Sequence, residues 1–259
     1  MINSVQRLGA GQVLSQFIKL IFMIQFDIVT IFPRIFDSYF SESIIKRAQK
    51  KKLIKINVHD LRQFTKDKHK QVDDRPYGGG PGMILMVEPI AKALRALATI
   101  NKKQLTVNER KKVRIIMLTP AGKKFTQRDA ERLAKYRQII LLCGRYEGFD
   151  ARVEKLVEEK ISIGDYVLAG GELPAMVVTE SIARHIPEVI GHEHALEDET
   201  FSKDLDYIEY PQYTRPEKIE LRIKNQKSRI LKVPKVLLSG DHAKIKEWRQ
   251  HQARRKNKN

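Results

Sequence analysis

Four stretches of the chain hold residues whose types and spacing could do chemistry. Residues 73–83 read DDRPYGGGPGM: two adjacent carboxylates, Asp73 and Asp74, precede a run of glycine and proline that includes Gly82. Proline removes a backbone donor and glycine weakens regular structure, so this run fits neither a helix nor a central strand. It offers instead a backbone poor in side chains, beside carboxylates that can accept from N–H donors. The other three stretches are TPAGKK (119–124), CGRYEGFD (143–150) and SIGDYVLAGGELP (162–174). In each, glycine lets the backbone turn sharply or approach something closely. One such loop would be an ordinary turn. Three in succession, each with polar or aromatic neighbours, point to a ligand pocket. Phosphate-binding motifs do not account for it. GGGPGM lacks the GK[ST] of a P-loop, and Gly122-Lys123 is followed by Lys124 without the upstream glycine spacing. No GxGxxG follows the first strand, so neither a dinucleotide site nor an ordinary Rossmann-type methyltransferase is supported. A cofactor held by backbone groups of several late loops remains.

The elements that must position these loops alternate in type. QFDIVTIF (25–32) reads as a buried strand ended by Pro33, and Ile35, Phe36, Tyr39, Phe40, Ile44 and Ile45 mark one face of a following helix. LIKINVHDL (53–61) is a second strand. After the glycine run the pattern predicts a helix over 88–98, a strand over 113–118, a helix over 126–136 and a strand over 138–143. A short helix follows CGRYEGFD, and a long one follows AGGELP to Pro187. Strands alternating with helices imply an α/β fold with a mostly parallel sheet, in which ligands bind outside the carboxyl ends of strands. The three glycine loops all follow strands. Residues 191–206 (GHEHALEDETFSKDLD) break the pattern and read as a linker, with a small, mostly helical, basic domain over 207–259. His192 and His194 in that linker lack a spacing that would make them metal ligands.

Composition narrows the partners. The chain has 259 residues, 42% hydrophobic and 31% charged, as expected of a folded protein. Its net charge is +18, and residues 201–259 carry 16 Lys and Arg against 7 Asp and Glu, or +9. Such a tail favours a polyanion, nucleic acid before an anionic membrane surface. The single cysteine, Cys143, cannot form a disulfide within the chain, which fits a reducing cytoplasm, and it reads as a buried strand-end residue. The apolar run FIKLIFMI (17–24) is interrupted by Lys19 and followed by Gln25 and Asp27, so it does not read as a membrane span.

DDRPYGGGPGM, CGRYEG, SIGDYVLAGGELPAM and YPQYTRP, in this order, resemble the bacterial tRNA (guanine-N1)-methyltransferases, the TrmD family, over Met23 to Trp248. The resemblance implies a SPOUT methyltransferase domain with a deep trefoil knot over 23–190, a helical tRNA-binding domain over 207–259, and a cytoplasmic homodimer. It implies methyl transfer from S-adenosylmethionine to N1 of the guanosine just 3′ of the anticodon. Residues 1–22 precede the family pattern and are expected to be dispensable. Carried over residue by residue, the cofactor pocket comprises Pro120, Gly144, Tyr146, Glu147, Ile163, Gly164, Asp165, Tyr166, Val167, Leu168, Gly170, Gly171 and Pro174. Asp73, Asp74, Gly82 and Arg215 fall on the tRNA side. The family's catalytic arginine corresponds to Arg184, whose charge would stabilise guanine O6 as N1 loses its proton. Its catalytic aspartate falls, without gaps, on Glu199, with Asp198 beside it; either carboxylate could take the proton. A divalent cation, Mg2+ being the expected one, is implied without a dedicated protein site or metal ligands. A SPOUT methyltransferase acting on ribosomal RNA and a non-catalytic RNA-binding protein are the alternatives. The YTRP segment argues against the first, and the three loops with Arg184 and a linker carboxylate argue against the second.

Overall fold

Strands buried on both faces of a parallel sheet read as continuous apolar runs, and the sheet is built from such runs. In the computed structural model, which describes residues 23–102, 113–191, 195–221 and 229–255, the chain divides into two units, Met1–Gly191 and His192–Asn259. The strands of the first unit are β1 (Ile24–Thr30), β2 (Ile54–Asp60), the short pair β3 (Asp73–Asp74) and β4 (Ile84–Leu85), then β5 (Val113–Lys124), β6 (Gln138–Cys143) and β7 (Glu159–Ser162). Five of them form one parallel sheet in the order β2-β1-β6-β5-β7. Every residue of β6, the middle strand, is buried, as is all of β1 except Gln25.

Alternation along these strands feeds two cores. On one face Phe26, Ile28, Ile139 and Leu141 pack with Phe40 of α1 (Asp37–Phe40), Ile45 of α2 (Ser43–Lys50), and Val178 and Ile182 of α5 (Glu172–Ala183). On the other, Val29, Ile140 and Leu142 pack with Ile90, Ala93 and Leu94 of α3 (Val87–Lys102). The remaining helix, α4, spans Gln127–Leu133. The expected strands are present in order, with α3 longer and α4 and α5 shorter than their sequence patterns suggest. The single helix expected from Ile35 to Ile45 is instead a 3-10 turn (Pro33–Phe36) followed by α1 and α2, broken at Ser41 and Glu42, and the short helix after CGRYEGFD is a 3-10 turn (Ala151–Leu156).

TPAGKK differs from a simple turn. β5 pairs with β7 through Leu118, shifts register, and pairs with it again at Lys123 and Lys124. Gly122 is pressed against β7 at the shift: a Cβ there would stand 2.5 Å from the Ile161 nitrogen. No side chain fits, so the return of β5 onto β7 requires glycine at that point.

The second unit is not only helical. Alongside α6 (Lys235–Leu238) and α7 (His242–Gln252) it holds two antiparallel pairs, β8 (Tyr207–Ile208) with β11 (Arg254–Arg255) and β9 (Lys218–Leu221) with β10 (Arg229–Lys232). These runs are two to four residues long and rich in charge, so their periodicity is too short to stand out from the basic stretch around them. Residues 195–206, read above as linker, are folded into turns. The Phe201 N–H donates to the Tyr207 carbonyl at 2.9 Å, and the Glu209 N–H donates to Thr200 Oγ1 at 3.2 Å. Residues 1–22, His192 and His194 lie outside the described residues. Among the described residues no helix is long and apolar enough to cross a membrane.

One charge sits inside the sheet. Asp27 on β1 is 1% exposed and accepts from Gln25 Nε2, Asn57 Nδ2 and Gln138 Nε2 at 2.6–2.8 Å, with His59 Nε2 at 2.8 Å. Burial raises its pKa, but the bonds from His59, Asn57, Gln138 and Gln25 outweigh it and hold the carboxyl below its ordinary value. A depressed folded pKa stabilises the fold above the unfolded value, about 3.9, and that contribution is lost as pH falls below it. Asp27→Asn is expected to lower stability at pH 7 by on the order of 2 kcal/mol and to flatten the acid limb of the stability curve. Urea unfolding between pH 7 and pH 2.5 tests this; parallel acid limbs for the two proteins would assign the acid sensitivity elsewhere.

Candidate active site

The carboxyl ends of β5, β6 and β7 open into a cavity of about 370 Å3, within the range of small-molecule sites. Its walls come from the three glycine loops. Of the residues expected to hold a cofactor, Pro120, Gly144, Tyr146, Glu147, Ile163, Gly164, Tyr166, Val167, Leu168, Gly170, Gly171 and Pro174 all line it. Asp165 does not: its carboxylate is exposed and bonds to Lys124. Leu118, Arg145, Phe149, Glu154, Ser162 and Ala169 line the cavity as well and were not singled out from sequence.

One buried carboxylate ties the walls together. Glu172, 2% exposed at the start of α5, accepts from Thr30 Oγ1 at 2.7 Å and from Arg145 Nε at 2.9 Å. Thr30, at the end of β1, in turn accepts from the Phe32 N–H at 2.9 Å. Arg145 reaches the Ala169 carbonyl at 3.3 Å and lies 4.7 Å above the Phe32 ring. The Gly171 N–H donates to the Gly144 carbonyl at 2.9 Å. The backbones approach so closely that a Cβ at Gly171 would stand 2.6 Å from the Cys143 Cα, and one at Gly170 would stand 2.3 Å from Arg145 Nε. Gly171 has an ordinary φ of −83°, so it is close packing, not backbone freedom, that demands glycine. Cys143 sits beneath this junction. Burial pushes its thiol well above the ordinary range, the Glu172 charge adds to that, and Arg145 opposes it. A thiol so placed is inert.

The glycine run is a hairpin tip mounted on the same loops. Asp73 and Asp74 pair antiparallel with Leu85 and Ile84. The hairpin then joins the second loop through Leu85 N–H to Gly148 O at 2.9 Å, Glu147 N–H to Met83 O at 3.0 Å and Asp150 N–H to Leu85 O at 2.9 Å. Gly82, with φ +79°, is so close to Glu147 that a Cβ would meet its Cγ at 2.6 Å. At the tip, Gly78, Gly79 and Gly80 all take positive φ and Tyr77 is fully exposed. The result is a bare backbone surface beside the cavity. Asp74 is exposed and Asp73 half-buried.

Arg184 is not among the residues that line this cavity. Arg184 is half-buried at the end of α5, twelve residues beyond Glu172, about 18 Å along the axis at 1.5 Å per residue. In the second unit Glu199 is half-buried, whereas Asp198 is 63% exposed and pairs with Lys203 at 3.2 Å, a bond that raises the lysine's pKa. Arg215 lines a separate cavity of that unit. Among the described residues no group of three or more His, Cys, Asp or Glu side chains could hold a metal ion.

A parallel sheet with a cavity built by the loops after three adjacent strands defines an α/β ligand-binding protein of the open-sheet class. The chain belongs to the TrmD family of tRNA (guanine-1)-methyltransferases, whose sequence model matches residues 24–259. It is 46% identical over 234 residues to the tRNA (guanine-N(1)-)-methyltransferase of Dictyoglomus turgidum, covering 90% of this chain and 86% of that one. To the protein of the same name from Mycoplasmopsis synoviae it is 49% identical over 223 residues, covering 86% and 88%. The crystal structure of tRNA (m1G37) methyltransferase from Aquifex aeolicus is similar to it at a TM-score of 0.67 and 36% identity, covering 87% of each chain.

Leaving Arg145 partly buried without its carboxylate is expected to be costly. Glu172→Ala should destabilise the protein by about 3–5 kcal/mol, while Asp165→Ala at the exposed rim should change stability by less than about 0.5 kcal/mol. Urea denaturation of both variants measures the difference. A Glu172→Ala protein as stable as the parent would show that the loops are held by their glycine contacts alone.

Proposed function

We propose that the protein is a tRNA (guanine-N1)-methyltransferase that moves a methyl group from S-adenosylmethionine to N1 of guanosine 37, the nucleotide just 3′ of the anticodon, in the cytoplasm. The observation that carries this is the cavity at the ends of β5, β6 and β7 with the bare glycine hairpin fixed to its wall. The cavity fits the cofactor: Gly144, Gly148, Gly164, Gly170 and Gly171 line it beside Tyr166, Leu168 and Pro120, with no room for a Cβ at Gly171. When bound, S-adenosylmethionine would supply the methyl group to be transferred. Glu147 and Glu154 offer acceptors to the ribose hydroxyls. The return of β5 onto β7 past Gly122 fits the trefoil knot of the SPOUT class.

The chain's own residues must bind the target base and move its proton. The hairpin of Asp73, Asp74 and Gly82 presents a flat backbone to a flipped guanine and carboxylates to its N–H groups. Guanine N1 becomes nucleophilic only on losing its proton. Glu199 takes it, and Arg184 stabilises the charge that moves onto O6. Glu199 is favoured over Asp198 because Asp198 is engaged by Lys203 at the surface, while Glu199 is half-buried and keeps the family spacing. Arg215 and the +9 of residues 201–259 bind tRNA phosphates. A divalent cation, if used, would be held by substrate groups as much as by protein, and the proton transfer assigned here rests on side chains.

The active site is shared between two copies. α5 begins at the cavity and delivers Arg184 about 18 Å away, where it serves the cavity of a partner. Phe32, Ile35, Tyr39, Leu173 and Val177 are exposed hydrophobics around the contact between α5 and the Pro33–Phe36 turn, a patch suited to such a partner. Light scattering is expected to give twice the chain mass for the active protein; an active monomer would refute the shared site.

Single-turnover methylation of tRNA transcripts with G or A at position 37 tests the activity. Transfer to G and none to A is expected. Glu199→Ala should lower the rate on the order of 10²–10⁴-fold, Asp198→Ala much less. Arg184→Ala should slow transfer far more than it weakens cofactor binding, because its contact strengthens only as charge develops. Near-normal rates for both carboxylate variants would move the base elsewhere, to Asp73 or Asp165.

A further inference from the structure

The second unit has almost no closed core. Among its described residues Tyr207 alone is a buried hydrophobic, and neither α6 nor α7 buries a residue. Side chains that would ordinarily fill a core line an open cavity of about 380 Å3 instead, with Tyr210, Tyr213, Trp248, Leu237, Arg215 and Arg249 around it. The Tyr213 and Trp248 rings are 6.2 Å apart and tilted by 57°, so they are not stacked on each other. Tyr213 is 47% exposed. The Arg249 guanidinium lies 5.0 Å above the Tyr210 ring. Among the described residues neither arginine is ion-paired with a carboxylate, while Asp198, Asp241 and Glu247 pair with Lys203, Lys244 and His251.

We infer that this cavity captures one unstacked nucleobase of the RNA, held against Trp248 and Tyr213, with Arg215 and Arg249 on the phosphates that flank it. Open aromatic faces beside unpaired arginines are the chemistry of single-strand base capture, in which the ring supplies stacking and the cation holds the backbone. Glu217, also on the cavity wall, offers an acceptor to an amino group of the base. A small structural core would bury these rings. A docking surface for apolar protein would not line them with cations. The inference rests on the tRNA reading above and adds a contact separate from the methylated guanine: the tRNA is gripped at a second nucleotide by the small unit.

Trp248 is the only tryptophan of the chain, so its emission reports on this cavity alone. Titration of the full chain with tRNA transcript is expected to quench Trp248 in step with binding, and S-adenosylmethionine alone is expected to leave the emission unchanged. Trp248→Leu and Tyr213→Ala should each weaken tRNA binding about tenfold or more, and Trp248→Phe should restore most of it. Cofactor affinity by calorimetry should be unchanged in all three. Should Trp248→Leu fail to fold, the half-exposed Tyr213→Ala carries the test. Full tRNA affinity in both truncation variants, or emission blind to bound tRNA, overturns the inference. Emission that follows protein concentration and not RNA gives the cavity to a second copy and overturns it too. Failure of the enzyme reading would look different: wild-type protein that binds S-adenosylmethionine but leaves tRNA unmethylated.

Discussion

The cavity depends on one buried carboxylate. Glu172 stands at the head of α5, and its two oxygens join the end of β1 through Thr30 and the loop after β6 through Arg145. That charge pair joins the loop after β6 to the loop that leads into α5, where the backbones meet at glycine. The loops come within backbone contact at Gly171, where a Cβ would strike the Cys143 backbone, and Gly170 leaves the space that the Arg145 and Glu172 side chains occupy. Glycine and ion pair are therefore one device: the first allows the approach and the second fixes it.

The same economy governs the hairpin. A Cβ added at Gly78 or Gly79 would meet nothing within 4 Å and one at Gly80 only Pro76, so it is the positive φ angles and not packing that call for glycine at the tip. Its base is held by strand-like bonds to the loop of Glu147 and Gly148. The bare hairpin and the cavity thus share a wall, and the wall is a single loop, 144–150. Rigidity comes from the sheet beneath, where every residue of β6 is buried.

The two units are built on opposite principles. The first closes two hydrophobic cores over a parallel sheet, with the Asp27 carboxylate and its four partners as a polar exception inside it. The second closes almost no core among its described residues and leaves Tyr210, Tyr213, Trp248, Arg215 and Arg249 around an open cavity, an arrangement that contributes little to stability.

Much of this was legible in the residues. Continuous apolar runs such as QIILLC announce buried parallel strands, and alternation with helical stretches orders them. The glycine loops announced themselves by composition, and of the residues the motif resemblance named for the cofactor all but Asp165 line the cavity, whereas those it named for the tRNA and for catalysis are not among its lining. Glu172, Thr30 and Arg145 were not legible as a unit, because they are 27 and 142 positions apart and a charge in one loop carries no sign of its partner in another. Asp165 looked like its neighbours in sequence and turned outward to Lys124. Nor could TPAGKK disclose that its last residues return to β7, since a strand's second pairing is set by where its partner passes. Residue type and local period determined which segments are strands, helices and loops. Only the tertiary structure decided which loops touch, which charges meet, and which glycines are there to make room, because those contacts depend on crossings of the sheet that no local pattern encodes.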